Sequence, residues 1–134
     1  MRNTTPSIST TPSAGYRLLT LINMSEPNCI FCKIANKEIP SNVVYEDENV
    51  VAFLDIHPKA TGHTLLIPKE HHRWFIDMPD NLSDEVFRSA KRVAKRLKED
   101  YRSDFVRLGI VGIDVPHVHI HLIPQTFGNP GPEI

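Results

Sequence analysis

His117-Val118-His119-Ile120-His121-Leu122-Ile123-Pro124 is the stretch on which the reading of this chain turns. Extended backbone sends successive side chains to opposite faces, so Val118, Ile120 and Leu122 form one apolar face and the three imidazoles the other. An apolar face of that length needs a core to cover it, which predicts a strand inside a sheet. The opposite face gathers, within about 14 Å of strand, three copies of the side chain that titrates nearest neutral pH. A lone strand histidine is usually structural; three in strict alternation would each need a partner on one sheet face. Two chemical readings stay open here. Either one imidazole is a nucleophile while its neighbours hold an anionic substrate, or the imidazoles jointly bind a catalytic metal.

Outward from this stretch, Val43-Val44-Tyr45 and Val50-Val51-Ala52-Phe53-Leu54 read as two strands joined by the acidic turn Glu46-Asp47-Glu48-Asn49. Thr64 to Ile67 reads as a third strand ended by Pro68, and Val106 to Val111 as a fourth. Residues 83 to 101 read as a helix. Ser83 is the expected cap, Asp84 and Glu85 suit the positive end of the dipole, and Val86, Ala90, Val93, Leu97 and Tyr101 recur at helical spacing. Arg88, Lys91, Arg92, Lys95 and Lys98 occupy the other face, which reads as a solvated face and gives no case for nucleic acid. Strands, one long helix, then more strands predict an α+β fold with a mostly antiparallel sheet.

At 134 residues this is a single-domain length with enough chain for a core of its own, and a net charge of -1 argues for neither nucleic-acid nor membrane association. No apolar stretch has the length of a membrane-crossing helix. Residues 1 to 26 are rich in Ser, Thr and Pro, and read as a disordered tail or an extension ahead of Met24. An organelle transit peptide is the rival reading, made weak by the presence of only two arginines, Arg2 and Arg17. The two cysteines form Cys29-Ile30-Phe31-Cys32, too small a loop for a useful disulfide, which suggests a reducing, cytoplasmic setting. Two thiolates so spaced can bite one metal ion and take histidines as further ligands; a redox pair and simple buried thiols remain the rivals.

Taken together these motifs resemble the histidine triad (HIT) family of nucleotide hydrolases and transferases. The resemblance is carried by His117-Val118-His119-Ile120-His121-Leu122-Ile123, by Cys29-Ile30-Phe31-Cys32-Lys33-Ile34 with Glu38-Ile39-Pro40, by Ala52-Phe53-Leu54-Asp55-Ile56, and by Gly62-His63-Thr64-Leu65-Leu66-Ile67-Pro68-Lys69. It implies a HIT-like domain over 27–134 with five antiparallel strands, one long helix and a short N-terminal helix, assembled as a homodimer. It implies that His119 attacks the α-phosphorus of a purine nucleoside phosphoramidate or dinucleoside polyphosphate, giving a nucleotidyl-histidine that water resolves. By the same resemblance His121 contacts phosphate and His63 supports the site. Asp55 binds the ribose hydroxyls, and Ile30, Phe31, Ile34, Phe53 and Ile56 line the base pocket. Members carrying the Cys pair imply a structural zinc on Cys29, Cys32, His71 and His117, while His57 and His72 match no family site and read as surface residues.

One departure stands out. Many members place Gly-Gln-Ser ahead of the triad; here the residues are Gly112-Ile113-Asp114, and an ionised Asp114 at the nucleotide site would repel a phosphate. Three alternatives are carried forward: a metallohydrolase with the triad as zinc ligands, a nucleotide-binding regulator without turnover, and a redox or thiol protein indifferent to nucleotide.

Overall fold

A computed structural model describes residues 26–128; the reading of the N-terminal extension therefore falls, for residues 1–25, outside the described residues. In chain order the elements are helix α1 (Ile30–Ala35), strands β1 (Val43–Glu46), β2 (Val50–Leu54) and β3 (Thr64–Pro68), a 3-10 turn (Phe75–Asp77), helix α2 (Asp80–Asp100), and strands β4 (Phe105–Ile110) and β5 (Ile120–Gln125). The five strands form one sheet in the order β1-β2-β3-β5-β4, every pair antiparallel. The expected α+β fold with a long and a short helix is what the chain adopts.

Alternation decides which side chain goes where. Val50, Ala52, Leu66, Val118, Ile120 and Leu122 pack on one side of the sheet against Val86, Ala90, Val93 and Leu97 of α2. Val51, Phe53, Leu65 and Ile67 point the other way and pack against Phe31, Cys32, Ile34 and Ala35 of α1. β2 and β3 are thus covered on both faces, which is why they read as continuous apolar runs. Burying a side chain such as Ile120, 0% exposed, stabilises the fold by about 1.5–3 kcal/mol.

The turn between β1 and β2 is held by Asp47, whose Oδ1 accepts from the Asn49 and Val50 amides and whose Oδ2 accepts from the hydroxyls of Tyr45 and Ser89. Burial pushes its carboxyl up, but these donors outweigh that and hold it below the usual carboxylate range.

Two expectations about α2 are corrected. The helix begins at Asp80, with Pro79 as its N-cap and no side-chain cap. Ser83 lies inside the first turn, its amide bonded to the Pro79 carbonyl at 2.9 Å. Proline pre-sets a helical φ and has no amide to satisfy, so the turn starts there without a capping hydroxyl. Tyr101 is the C-cap and is 40% exposed, not part of the buried stripe. Its ring covers Gly62, where a Cβ would meet it at 2.7 Å and where φ is +88°. Only glycine suits both conditions, and the chain turns there into β3.

The regular strand β5 opens at Ile120, later than expected, because the β3–β5 ladder reaches only Leu66–Ile120. His117 to His119 precede it outside the ladder, tied down by the Val118 amide to the His72 carbonyl at 2.7 Å.

Candidate functional site

The histidine face of this segment divides into two environments. At one end, His117 is fully buried and its Nε2–H donates to the Pro68 carbonyl at 2.8 Å, which leaves the Nδ1 lone pair facing Cys29 Sγ at 3.4 Å and Cys32 Sγ at 3.5 Å. His71 Nδ1 lies 3.2 Å from Cys32 Sγ. The ligand atoms of Cys29, Cys32, His71 and His117 all fall within 4.8 Å of one another, so the four could bind one metal ion. Burial pushes the His117 pKa down to about 4 and lifts the Cys32 thiol to about 11. A neutral imidazole with its tautomer already fixed suits a ligand, and a cation at this point would reverse the thiol's shift. A donor set of two sulfurs and two imidazole nitrogens, both cysteines placed by the first turn of α1, fits a closed four-coordinate metal and leaves no open position.

At the other end lies a cavity of about 460 Å³. Phe31, Ile34 and Phe53 form its buried wall, while Ile30 and the largely exposed Ile56 stand at its rim. Asp55, Asp114, His119 and His121 also line it. All the apolar residues expected at a base pocket therefore come together, as do both carboxylates. His63 does not reach the cavity. It is 1% exposed and lies behind His121.

Backbone groups assign the imidazole protons. The Lys59 amide donates to His63 Nδ1 at 3.0 Å, so the proton of a neutral His63 sits on Nε2. That N–H donates to His121 Nδ1 at 3.0 Å, which puts the His121 proton on Nε2, the nitrogen left for the cavity. Burial is the main cause lowering both pKa values, His121 to about 4, so both rings are neutral at pH 7. Asp55, His63 and His121 also lie close enough together to hold an ion. The Lys59 amide opposes this, because it leaves an N–H and not a lone pair at His63 Nε2.

His119 carries a different constraint. Its Nδ1–H donates to the His117 carbonyl at 2.7 Å, leaving Nε2 as the lone-pair nitrogen. That nitrogen is buried and has no hydrogen-bond partner. Asp114 Oδ1 approaches it to 3.3 Å without the alignment of a hydrogen bond. Burial pushes the Asp114 carboxyl up, but the His119 ring beside it and the amides of its own loop outweigh this and hold it below the usual carboxylate range. Asp114 is thus ionised.

Asp55 receives the His57 amide on Oδ1 at 2.9 Å, and its Oδ2 lies 3.5 Å from His63 Nε2. His57 is exposed as expected, yet it stands at the cavity rim. His72 is half-buried and paired with Glu70, so it is not the free surface residue expected. Among the cavity residues, Leu65, Ile39, Asn42 and Val115 escaped sequence reasoning. Leu65 was within reach of it. Phe53, Leu65 and His121 are successive cross-strand partners, so strand register alone puts Leu65 between two expected site residues.

Comparison with known proteins follows the same lines. A family model described as HIT domain matches residues 36–128. The adenosine 5'-monophosphoramidase HNT1 of Saccharomyces cerevisiae is 44% identical over 119 residues, covering 84% of this chain and 74% of that protein. The crystal structure of SMU.412c from Streptococcus mutans superposes with a TM-score of 0.78 at 36% identity, covering 84% of this chain and 74% of that one. A zinc-bound histidine triad family protein from Mycobacterium smegmatis gives 0.72 at 32% identity, covering 76% and 78%.

Proposed function

The chain belongs to the HIT domain family, and from that premise we propose that it is a nucleotide hydrolase or nucleotidyl transferase that attacks the α-phosphorus of its substrate through His119. The observation that carries this reading is the buried Nε2 of His119, unpartnered at the cavity wall while Nδ1–H is committed to a carbonyl. A fixed tautomer keeps the lone pair on the attacking nitrogen, so no proton has to be removed first. A purine base fills the space against Phe31, Ile34 and Phe53, and Asp55 accepts the ribose hydroxyls. His121 Nε2–H donates to a non-bridging oxygen as charge grows there, with His63 holding that ring in its donor form. Attack gives a nucleotidyl-histidine; water then releases the nucleoside monophosphate. A phosphoramidate and a dinucleoside polyphosphate both present the required α-phosphorus. The name of the yeast relative, an adenosine 5'-monophosphoramidase, favours hydrolysis and an adenine nucleotide.

We propose zinc as the metal of Cys29, Cys32, His71 and His117. The zinc-bound relative supports this choice, as does the donor set. When bound it supplies a cross-link between α1, the end of β3 and the histidine segment, and no step of the reaction. A triad-held catalytic metal finds no support in the geometry. His117, His119 and His121 do not converge, and among the described residues His119 joins neither group able to hold an ion. The free, buried thiols accord with a reducing, cytoplasmic setting, and among the described residues no helix is long and apolar enough to cross a membrane. Homodimerisation through edge strand β4 would cover the exposed Leu108, Val111 and Ile113.

The test is steady-state release of AMP from an adenosine phosphoramidate by the wild type and His119→Ala. A loss of about a thousandfold or more is expected of the variant. Normal turnover by His119→Ala would sink the mechanism, and nucleotide affinity without turnover in either protein would favour a regulator.

A further inference from the structure

Asp114 stands where many family members carry a serine, and it lies against the attacking nitrogen. Its Oδ1 lies 3.3 Å from His119 Nε2, and its side chain is 72% exposed at the mouth of the cavity. The rest of the lining adds a second observation. Among the described residues it includes the carboxylates of Asp55 and Asp114 and the imidazoles of His57, His119 and His121, but no lysine or arginine. Sites that hold several phosphates bring cations to them, commonly the fork of an arginine or the point charge of a lysine.

The inference rests on the function proposed above. With the base against Phe31 and Phe53, the ribose at Asp55 and the α-phosphorus at His119, the remaining substituent on phosphorus extends toward the open mouth. There it meets a carboxylate and, among the described residues, no fixed positive side chain. We propose that Asp114 is a specificity-determining residue, a negative gate that admits substrates with an amine leaving group and rejects those that would leave as a polyphosphate.

The two cases differ in where charge goes. Attack forms the Nε2–phosphorus bond as the phosphorus–nitrogen bond of a phosphoramidate breaks. The departing nitrogen keeps the electron pair of that bond and takes a proton from water at the open mouth. The amine so formed can donate a hydrogen bond to Asp114. A dinucleoside polyphosphate instead sends the electron pair to an oxygen and expels a nucleoside di- or triphosphate carrying several negative charges. In a water-like dielectric, a unit negative charge about 5 Å from the carboxylate is opposed by a factor of about four. Three such charges oppose the polyphosphate by a factor of several tens.

The experiment compares kcat/KM for an adenosine phosphoramidate and for diadenosine triphosphate at low and high ionic strength. It uses the full chain as wild type, Asp114→Asn and Asp114→Glu. The wild type should prefer the phosphoramidate, and Asp114→Asn should raise the polyphosphate-to-phosphoramidate ratio by about tenfold or more. Asp114→Glu should keep the wild-type ratio. Salt should raise the ratio in the wild type and much less in Asp114→Asn, because only a Coulombic gate is screened. A parallel measurement needs no turnover: Asp114→Asn should tighten ADP more than AMP by a similar factor in equilibrium binding. A ratio unchanged in Asp114→Asn, or an equal salt response in both, overturns the gate while leaving His119 chemistry standing. Failure of the proposed function looks different, since the wild type then turns over neither substrate and His119→Ala changes nothing.

Discussion

His117 and His121 are the same side chain four positions apart on one face of one segment, and the fold gives them opposite hydrogen-bonding roles. His117 donates from Nε2 to the Pro68 carbonyl and turns a lone pair to two sulfurs. His121 accepts at Nδ1 from His63 and turns an N–H toward the cavity. Burial drives both pKa values to about 4, so charge does not separate them. What separates them is which ring nitrogen meets a backbone carbonyl and which meets another imidazole. An imidazole's chemistry is set by the partner of its other nitrogen. His119 lies between them and shows the same rule, with the His117 carbonyl holding one nitrogen and leaving the other bare.

The contrast is broken most directly by paired alanines. His119→Ala is expected to lose about a thousandfold or more in turnover and, because its ring borders the open cavity, to lose less stability in urea than His117→Ala. His117→Ala should do the reverse first: it opens a buried cavity and removes one metal ligand, costing about 2–5 kcal/mol in urea unfolding, with metal content falling in elemental analysis. If both variants lose the fold equally, the division of labour along the segment is wrong.

On the opposite face, Ile120→Ala should cost about 2–5 kcal/mol and leave kcat within about threefold, read by urea unfolding and AMP release. A large loss of kcat at wild-type KM would mean that the two faces are not independent. A smaller effect is expected at His63. His63→Gln removes the ring that fixes the His121 proton and should cut kcat by about ten- to a hundredfold, with KM changed less, since a donor aimed at developing charge acts mainly in the transition state.

The last test is in pH. His121 titrates at about 4 in the fold and near 6.5 when unfolded, so between those values the unfolded chain binds more protons. Its contribution is therefore complete above about 6.5, declines as pH falls toward 4, and is constant below. Urea unfolding at a series of pH values should show stability falling on acidification, less steeply in His121→Asn. An unchanged slope in that variant would count against the neutral, donor form of His121.

Several features were legible because short-range chemistry determines them. Alternation assigned Val118, Ile120 and Leu122 to the core and the imidazoles to the other face, since extended backbone has a period of two. Of the four residues able to hold one metal ion, the pair Cys29 and Cys32 was legible from its spacing, but His71 and His117 only through the resemblance, because they are 46 positions apart and no local pattern links them to the cysteines. Local rules misplaced the start of α2: a serine looks like a cap, but Pro79 had already set the turn. By itself, then, the sequence determined the strands, their buried faces and the candidate side chains, all consequences of backbone geometry and side-chain type. Tertiary structure alone decided which imidazole receives a proton on which nitrogen and that Asp114 stands at 3.3 Å from His119. Those outcomes depend on where a carbonyl of β3, an amide at Lys59 and a loop carboxylate arrive in space, and distance in space is not written in the order of residues.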